Sequence, residues 1–177
     1  MIAETGHFAL VLALMVAVVQ GTVPMLGAAR GHAPWMELAR PAALAQFLLV
    51  AVSFGCLMYA FVTSDFSVIN VATNSHSTKP MLYKISGTWG NHEGSMLLWV
   101  LILTVFGAAC ASFSANLPPG LRARALGIQA WLAIGFYLFI LFTSNPFERI
   151  VPAPVDGRGL NPLLQDPGLA FHPPFLY

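Results

Sequence analysis

Apolar and polar residues fall into long blocks along this chain, with no short alternation between them. Four stretches hold no Asp, Glu, Lys or Arg: 5–29, 41–64, 94–121 and 125–147. Each reaches the about 20 residues that a helix needs to cross a hydrocarbon layer ~30 Å thick. Their apolar density predicts helices near 8–27, 41–63, 95–115 and 125–143. Pro24 is expected to kink or end the first helix. Pro41 suits the first turn of the second, where its missing N–H costs nothing. Gly127 and Gly135 are expected to mark a close helix contact. The fold this predicts is all-α and membrane-integral, with four transmembrane helices, long structured outer loops and residues 1–177 in a single membrane domain.

The polar residues between the blocks set an orientation. The short connections 28–40 and 116–124 carry Arg30, Arg40, Arg122 and Arg124 against one acid, Glu37. The longer segments 64–94 and 144–177 also carry four basic residues, but over more than twice the length and with five acids. Lys and Arg crowd the cytoplasmic side of membrane spans. The short loops are therefore expected inside. The N-terminus, the long segments and residue 177 are expected outside, on the periplasmic side of a bacterial inner membrane.

Both long segments are too apolar to be disordered tails. The first begins DFSVINVATNSHSTKP, whose β-branched residues predict a short strand. MLYKISGTW follows as an interfacial stretch, with Tyr83 and Trp89 at headgroup depth. The second holds seven of the thirteen prolines, which stiffen it into a shaped platform.

Composition removes several classes of function. Only 8% of residues are charged and 57% are hydrophobic, with mean hydropathy +0.72; a soluble domain carries about 25% charged residues. Eight basic and seven acidic residues leave no surplus of positive charge for nucleic acid. The N-terminus lacks the basic region of a cleavable signal, so it reads as a first span. Cys56 and Cys110 have no metal-binding spacing. On antiparallel helices their depths differ by more than ~10 Å, so no disulfide is expected.

Five histidines remain, and none falls in mid-membrane. That disfavours a four-helix b-type cytochrome, which needs axial histidines projecting into the bundle. His7, His32 and His76 read as interfacial or solvated. His92 and Glu93 lie in WGNHEGSMLLW (89–99), at the start of the third span. Glu93 falls in the first turn, which favours an anion, and Asn91 or Ser95 can cap it. The motif is therefore either a helix entry anchored by Trp89, or an outer cavity where His92 and Glu93 touch a polar ligand. It is not a zinc HExxH, because Met96 occupies the second histidine's place.

His172 lies in LNPLLQDPGLAFHPPFLY (160–177). A residue before proline is pushed away from helical geometry. His172 is thus expected on a stiff extended segment, with Pro173 and Pro174 opening a new helix. A ring held that way suits either a structural corner or an axial ligand for iron. Nucleophilic triads, paired carboxylates, phosphate-binding glycine loops and zinc spacings are absent from the sequence, and no catalytic residue is assigned.

GHFALVLAL, GAARG, WGNHEGSMLLWV, LFILFTSNPF and GRGLNPLLQDPGLAFHPPFLY, in this order, resemble the N-terminal portion of the CcmF/NrfE family. Members are haem lyase subunits of bacterial and plant-mitochondrial cytochrome c maturation. The resemblance implies cytochrome c-type biogenesis: b-type haem, held transiently at the outer face, is received from the chaperone CcmE. It is then joined through its vinyl groups to the thiols of CxxCH in apocytochrome c. CcmH and other maturation subunits are the further partners implied.

By the same resemblance His172 matches the family's first external axial histidine, which makes it the candidate ligand of haem iron. WGNHEGS matches a family signature without an assigned ligand role, so Trp89, His92 and Glu93 stand as candidate haem-contacting residues of the outer face. The family's WWD motif, second external histidine and intramembrane histidine pair have no counterpart in 1–177. The chain is therefore expected to act with a C-terminal remainder, as a fragment or as one piece of a split protein. The competing readings are a transporter or channel subunit, and a structural membrane subunit that docks partners. Against the transporter, no acid or base lies in mid-membrane.

Overall fold

The computed structural model describes residues 1–176. Its helices are α1 (Ile2–Arg30), α2 (Ala33–Glu37), α3 (Ala39–Thr63), α4 (Ile69–Asn74), α5 (Met81–Gly87), α6 (His92–Phe113), α7 (Pro119–Thr143) and α8 (Pro167–Leu176), with a 3-10 turn at Pro162–Gln165 before the last. Four helical stretches are long and apolar enough to cross a membrane: α1, α2 with α3, α6 and α7. They pack antiparallel in sequence order. α1 lies against both α3 and α7, and α6 closes the bundle between the latter two.

Small residues let these helices approach. α1 turns Ala3, Gly6, Leu10, Ala13, Ala17, Gly21, Pro24 and Gly27 inward at three- and four-residue spacing, the stripe of a helix that buries one face. At Gly6 a Cβ would lie 2.5 Å from the Phe147 ring. Gly127 is such a contact too, since a Cβ there would meet Met25 at 2.4 Å; Gly135 has nothing within 4 Å and marks none. α1 neither ends nor is capped at Pro24, which lies within it. The helix closes at Gly31, whose φ of 69° only glycine adopts freely.

Three polar residues inside the bundle answer one another. Tyr137 donates its hydroxyl to Gln46 Oε1 (3.0 Å), Gln46 donates to Gln20 Oε1 (3.2 Å), and Gln20 donates to the Leu126 carbonyl (2.9 Å). All three side chains are buried. The chain of bonds ties α7 to α3, α3 to α1 and α1 back to α7. Trp131 adds a bond from its indole to the Gly21 carbonyl (2.9 Å). Cys56 and Cys110 are free thiols.

The two long segments gather at the end of the bundle that carries the N-terminus. Arg149 bridges Glu4 of α1 (2.6 Å) and Asp65 (3.3 Å). Asp156 accepts from the Ser77 backbone N–H (2.9 Å) and hydroxyl (2.5 Å), with His76 at 3.4 Å. Those Ser77 bonds hold the Asp156 carboxyl below the usual carboxylate range. Nearby, burial and then the Lys84 charge lower the Lys79 ammonium to about 8.

One expectation for this layer is corrected. Residues 69–74 form α4 where β-branched composition pointed to a strand, and among the described residues pairing is limited to one bridge between Val68 and Arg149. The Ala72 N–H reaches the Val68 carbonyl (3.0 Å) and the Ser75 N–H the Val71 carbonyl (2.9 Å), the four-residue bonds of a helix. Thr73 and Asn74 add bonds from their side chains to the Ile69 and Asn70 carbonyls.

Candidate functional site

WGNHEGS folds as the entry to α6. Asn91 is its N-cap: Oδ1 accepts from the Gly94 N–H (2.7 Å), while Nδ2 donates to the Gly87 carbonyl (2.8 Å). Gly94 is required because the chain doubles back there; a Cβ would fall 1.6 Å from the Thr88 carbonyl oxygen. Ser95 donates its hydroxyl to the Trp89 carbonyl (2.7 Å). Trp89, Asn91, Gly94 and Ser95 are thus occupied in building the turn.

The turn leaves His92 over. It is exposed on the first turn of α6, with its ring edge-on to Phe139 of α7 at 5.9 Å. Together with Trp89, Gly90, Asn91, Ser95, Met96 and Pro173 it lines an open cleft of about 400 Å³. Glu93 sits half-buried in the same turn and is not among the residues lining that cleft. Of the pair, His92 lines this cleft and Glu93 does not.

α8 lies beside this entry and carries His172, contrary to the extended segment expected. Pro173 and Pro174 lie inside the helix and do not open one. The helix starts six residues earlier, where Pro167 follows Asp166. Asp166 Oδ1 accepts from the Leu169 N–H (3.0 Å), and its carbonyl accepts from the Ala170 N–H (2.9 Å). A cap and an initial proline outweigh the pre-proline bias at a single residue.

α8 meets the α6 entry through Trp89. The indole N–H donates to the Ala170 carbonyl at 2.7 Å, and the Trp89 and Phe171 rings lie 6.4 Å apart. Trp89 and Ala170 are buried, whereas His172 is exposed. Phe175 and Leu176 project beside it, also exposed. Leu176 reaches an apolar groove of about 260 Å³ formed by Trp99, Ile102, Leu103, Phe106 and Phe136 on α6 and α7.

The structure therefore brings Trp89, His92 and the His172 helix to one corner, with the neighbour of His172, Pro173, forming part of the cleft wall. His7 lies elsewhere, lining a different cavity with Glu4, Asn145 and Arg149, and His76 belongs to the Asp156 cluster. Among the described residues, no three of His, Cys, Asp and Glu cluster in a way that would hold a metal ion. What the corner offers iron is single imidazoles beside apolar surface. That chemistry fits a planar apolar macrocycle whose metal is bound along its axis. Sequence reasoning missed the Ala170 carbonyl as part of the corner. Its signal was present: Pro174 removes the N–H that an α-helix would send to residue 170.

Comparison with known proteins covers this region and the rest of the chain. The profile of the family described as "Cytochrome C assembly protein" matches residues 89–177, from Trp89 to the end of the chain. A cytochrome c-type biogenesis protein of Rhodobacter capsulatus is 64% identical over the whole chain, which covers 27% of that relative. CcmF of Escherichia coli, also named a cytochrome c-type biogenesis protein, is 49% identical over the whole chain, which covers 28% of it. A solved structure titled "Cytochrome c Heme Lyase CcmF" superposes with TM-score 0.79 at 25% identity, over 84% of this chain and 25% of that one. The chain thus spans about a quarter of the length of the relatives it matches. Four membrane-crossing helices and a profile match covering half of the sequence carry one conclusion: the chain belongs to the cytochrome c assembly protein family, and resembles the N-terminal part of its CcmF members.

Proposed function

We propose that this chain is the haem-handling N-terminal part of a haem lyase in cytochrome c-type biogenesis, and that His172 is an axial ligand for haem in transit. The observation that carries the reading is His172 itself. It is an exposed imidazole on a helix fixed from the side, next to exposed apolar residues and within the stretch that matches the family profile. Haem is the cargo, and its iron takes a neutral imidazole nitrogen. Phe171, Phe175 and Leu176 supply apolar surface for the macrocycle, and His92 offers a second polar contact across the cleft. CcmE is the donor of haem in this reading, and the CxxCH thiols of apocytochrome c are the acceptor. CcmH and a C-terminal remainder complete the assembly.

The bundle places the N-terminus, segment 64–94 and segment 144–177 at one end, and the Arg-bearing short loops at the other. With the short loops cytoplasmic, the corner faces the periplasm from the bacterial inner membrane.

The test is His172→Ala in the whole protein. Cytochrome c formation should be lost while the protein still accumulates in the membrane, and exogenous imidazole should restore part of it. A corner residue would behave otherwise, since imidazole can ligate iron but cannot rebuild a fold. Normal cytochrome assembly in the untreated variant would remove His172 from the mechanism.

A further inference from the structure

We propose that Trp89 is the positioning residue for His172: its indole N–H holds α8 by the one backbone carbonyl that Pro174 leaves without a helical donor. This rests on the reading of His172 as a haem ligand. In an α-helix the carbonyl of residue 170 accepts from the N–H of residue 174, and that of 169 from 173. Both donors are prolines here, so α8 lacks two interior bonds out of a length of only ten residues. A helix that short is marginal by itself. Something outside it must hold it.

Trp89 supplies the missing donor at 2.7 Å, and is itself firmly mounted. Its carbonyl accepts from Ser95 (2.7 Å), its N–H reaches the Ser86 carbonyl (3.2 Å), and the preceding Thr88 carbonyl is packed against Gly94. The anchor is thus built on the first turn of a membrane-spanning helix. Its consequence for His172 is rotational. Each residue turns a helix by about 100°, so residues 170 and 172 point about 200° apart. Holding Ala170 against the bundle turns His172 away from it, and the two residues are buried and exposed accordingly.

Two substitutions separate this bond from mere packing. Trp89→Phe keeps an aromatic ring against Phe171 and deletes the donor. Pro174→Ala returns the intrahelical donor, making the indole bond redundant. The measurements are hydrogen exchange of the α8 amides 169–172 and the low-spin haem spectrum of the whole protein in detergent. W89F should exchange about tenfold faster in α8, as expected for one buried hydrogen bond lost. It should also lose low-spin haem signal, which added imidazole restores without slowing the exchange. W89F combined with P174A should return to within about twofold of the parent's exchange.

Unchanged α8 exchange in W89F would overturn the proposal. So would an equal rise with and without P174A, or faster exchange with an unaltered haem spectrum. Failure of the haem reading itself shows separately, as a low-spin spectrum unchanged by His172→Ala. P174A alone leaves Trp89 intact, so its α8 protection, expected at or above that of the parent, checks the helix even if W89F misfolds.

Discussion

Replacing Gly94 with alanine perturbs the site at its tightest point. The added Cβ would lie 1.6 Å from the Thr88 carbonyl oxygen and 2.8 Å from its carbon. Carbon and oxygen ordinarily pack at about 3.3 Å, so one strand of the turn must shift by more than an ångström. The obstacle is backbone, and no flexible side chain can swing aside. That shift pulls the Gly94 N–H from Asn91 and the Ser95 hydroxyl from Trp89. Losing the cap costs about 1 kcal/mol, losing the hydroxyl bond about 1 kcal/mol, and the residual overpacking about 1–3 kcal/mol. Alanine's better helix propensity returns about 1 kcal/mol. The net loss is roughly 2–4 kcal/mol, or a melting point lower by roughly 4–16 °C for a chain of this length.

Gly135→Ala is the internal control. It lies in α7 with nothing within 4 Å of the added carbon, so the substitution should be neutral or stabilising by up to about 1 kcal/mol. Thermal unfolding of both variants in one detergent, followed by circular dichroism, gives the comparison. If G94A melted together with the parent, the close approach at Thr88 would be refuted, and with it the account of why WGNHEGS has this sequence.

Two other predictions concern the bundle and its orientation. Gln46→Leu strips Tyr137 of its acceptor and Gln20 of its donor; at about 0.6–1.5 kcal/mol per bond it should destabilise the protein by roughly 1–3 kcal/mol. Tyr137→Phe should cost less, and the double variant less than the sum of the two; strict additivity in detergent unfolding would mean that the residues do not form one network. With Cys56 and Cys110 replaced by serine, a cysteine at the fully exposed Val155 should react with a membrane-impermeant reagent applied from the periplasm. One at Ala33 should not, and labelling there would invert the proposed orientation.

The four spans were legible because the bilayer imposes a length and forbids charge, and both leave marks in one dimension. The expected ends at 63 and 143 are where α3 and α7 stop; the starts were less legible, because uncharged length says nothing of where a helix begins. α7 begins at Pro119, with Arg122 and Arg124 already inside its first turns, since long basic side chains reach water from a helix as readily as from a loop. α4 was misread because Val and Ile count towards a strand on composition, whereas the Ala72 and Ser75 N–H groups bond to the carbonyls four residues back, as in a helix.

The local role of WGNHEGS was half legible. Asn91 and Ser95 were readable as capping residues, and Asn91 is the cap. The bond from Trp89 to Ala170 joins residues 81 apart, and no local pattern encodes a partner at that distance. His172 was given the wrong backbone, because the pre-proline rule acts on one residue while a helix is decided over ten.

The polar residues of the interior bear on the transporter reading. A path for ions or protons through a membrane needs groups that change their occupancy with water or with each other. Gln20 and Gln46 are carboxamides, which do not titrate. Tyr137 is buried, with its hydroxyl already given to Gln46. Their bonds run from helix to helix and end on the backbone carbonyl of Leu126, so the network closes on the bundle and opens to neither side. A closed network fixes the relative positions of α1, α3 and α7. α6 is held in turn by α3 and α7, and the first turn of α6 carries His92 and the mounting of Trp89. Rigidity made in the bundle is in this way handed to the corner that carries Trp89 and His172, where the ligand role proposed for His172 would have the most use for it.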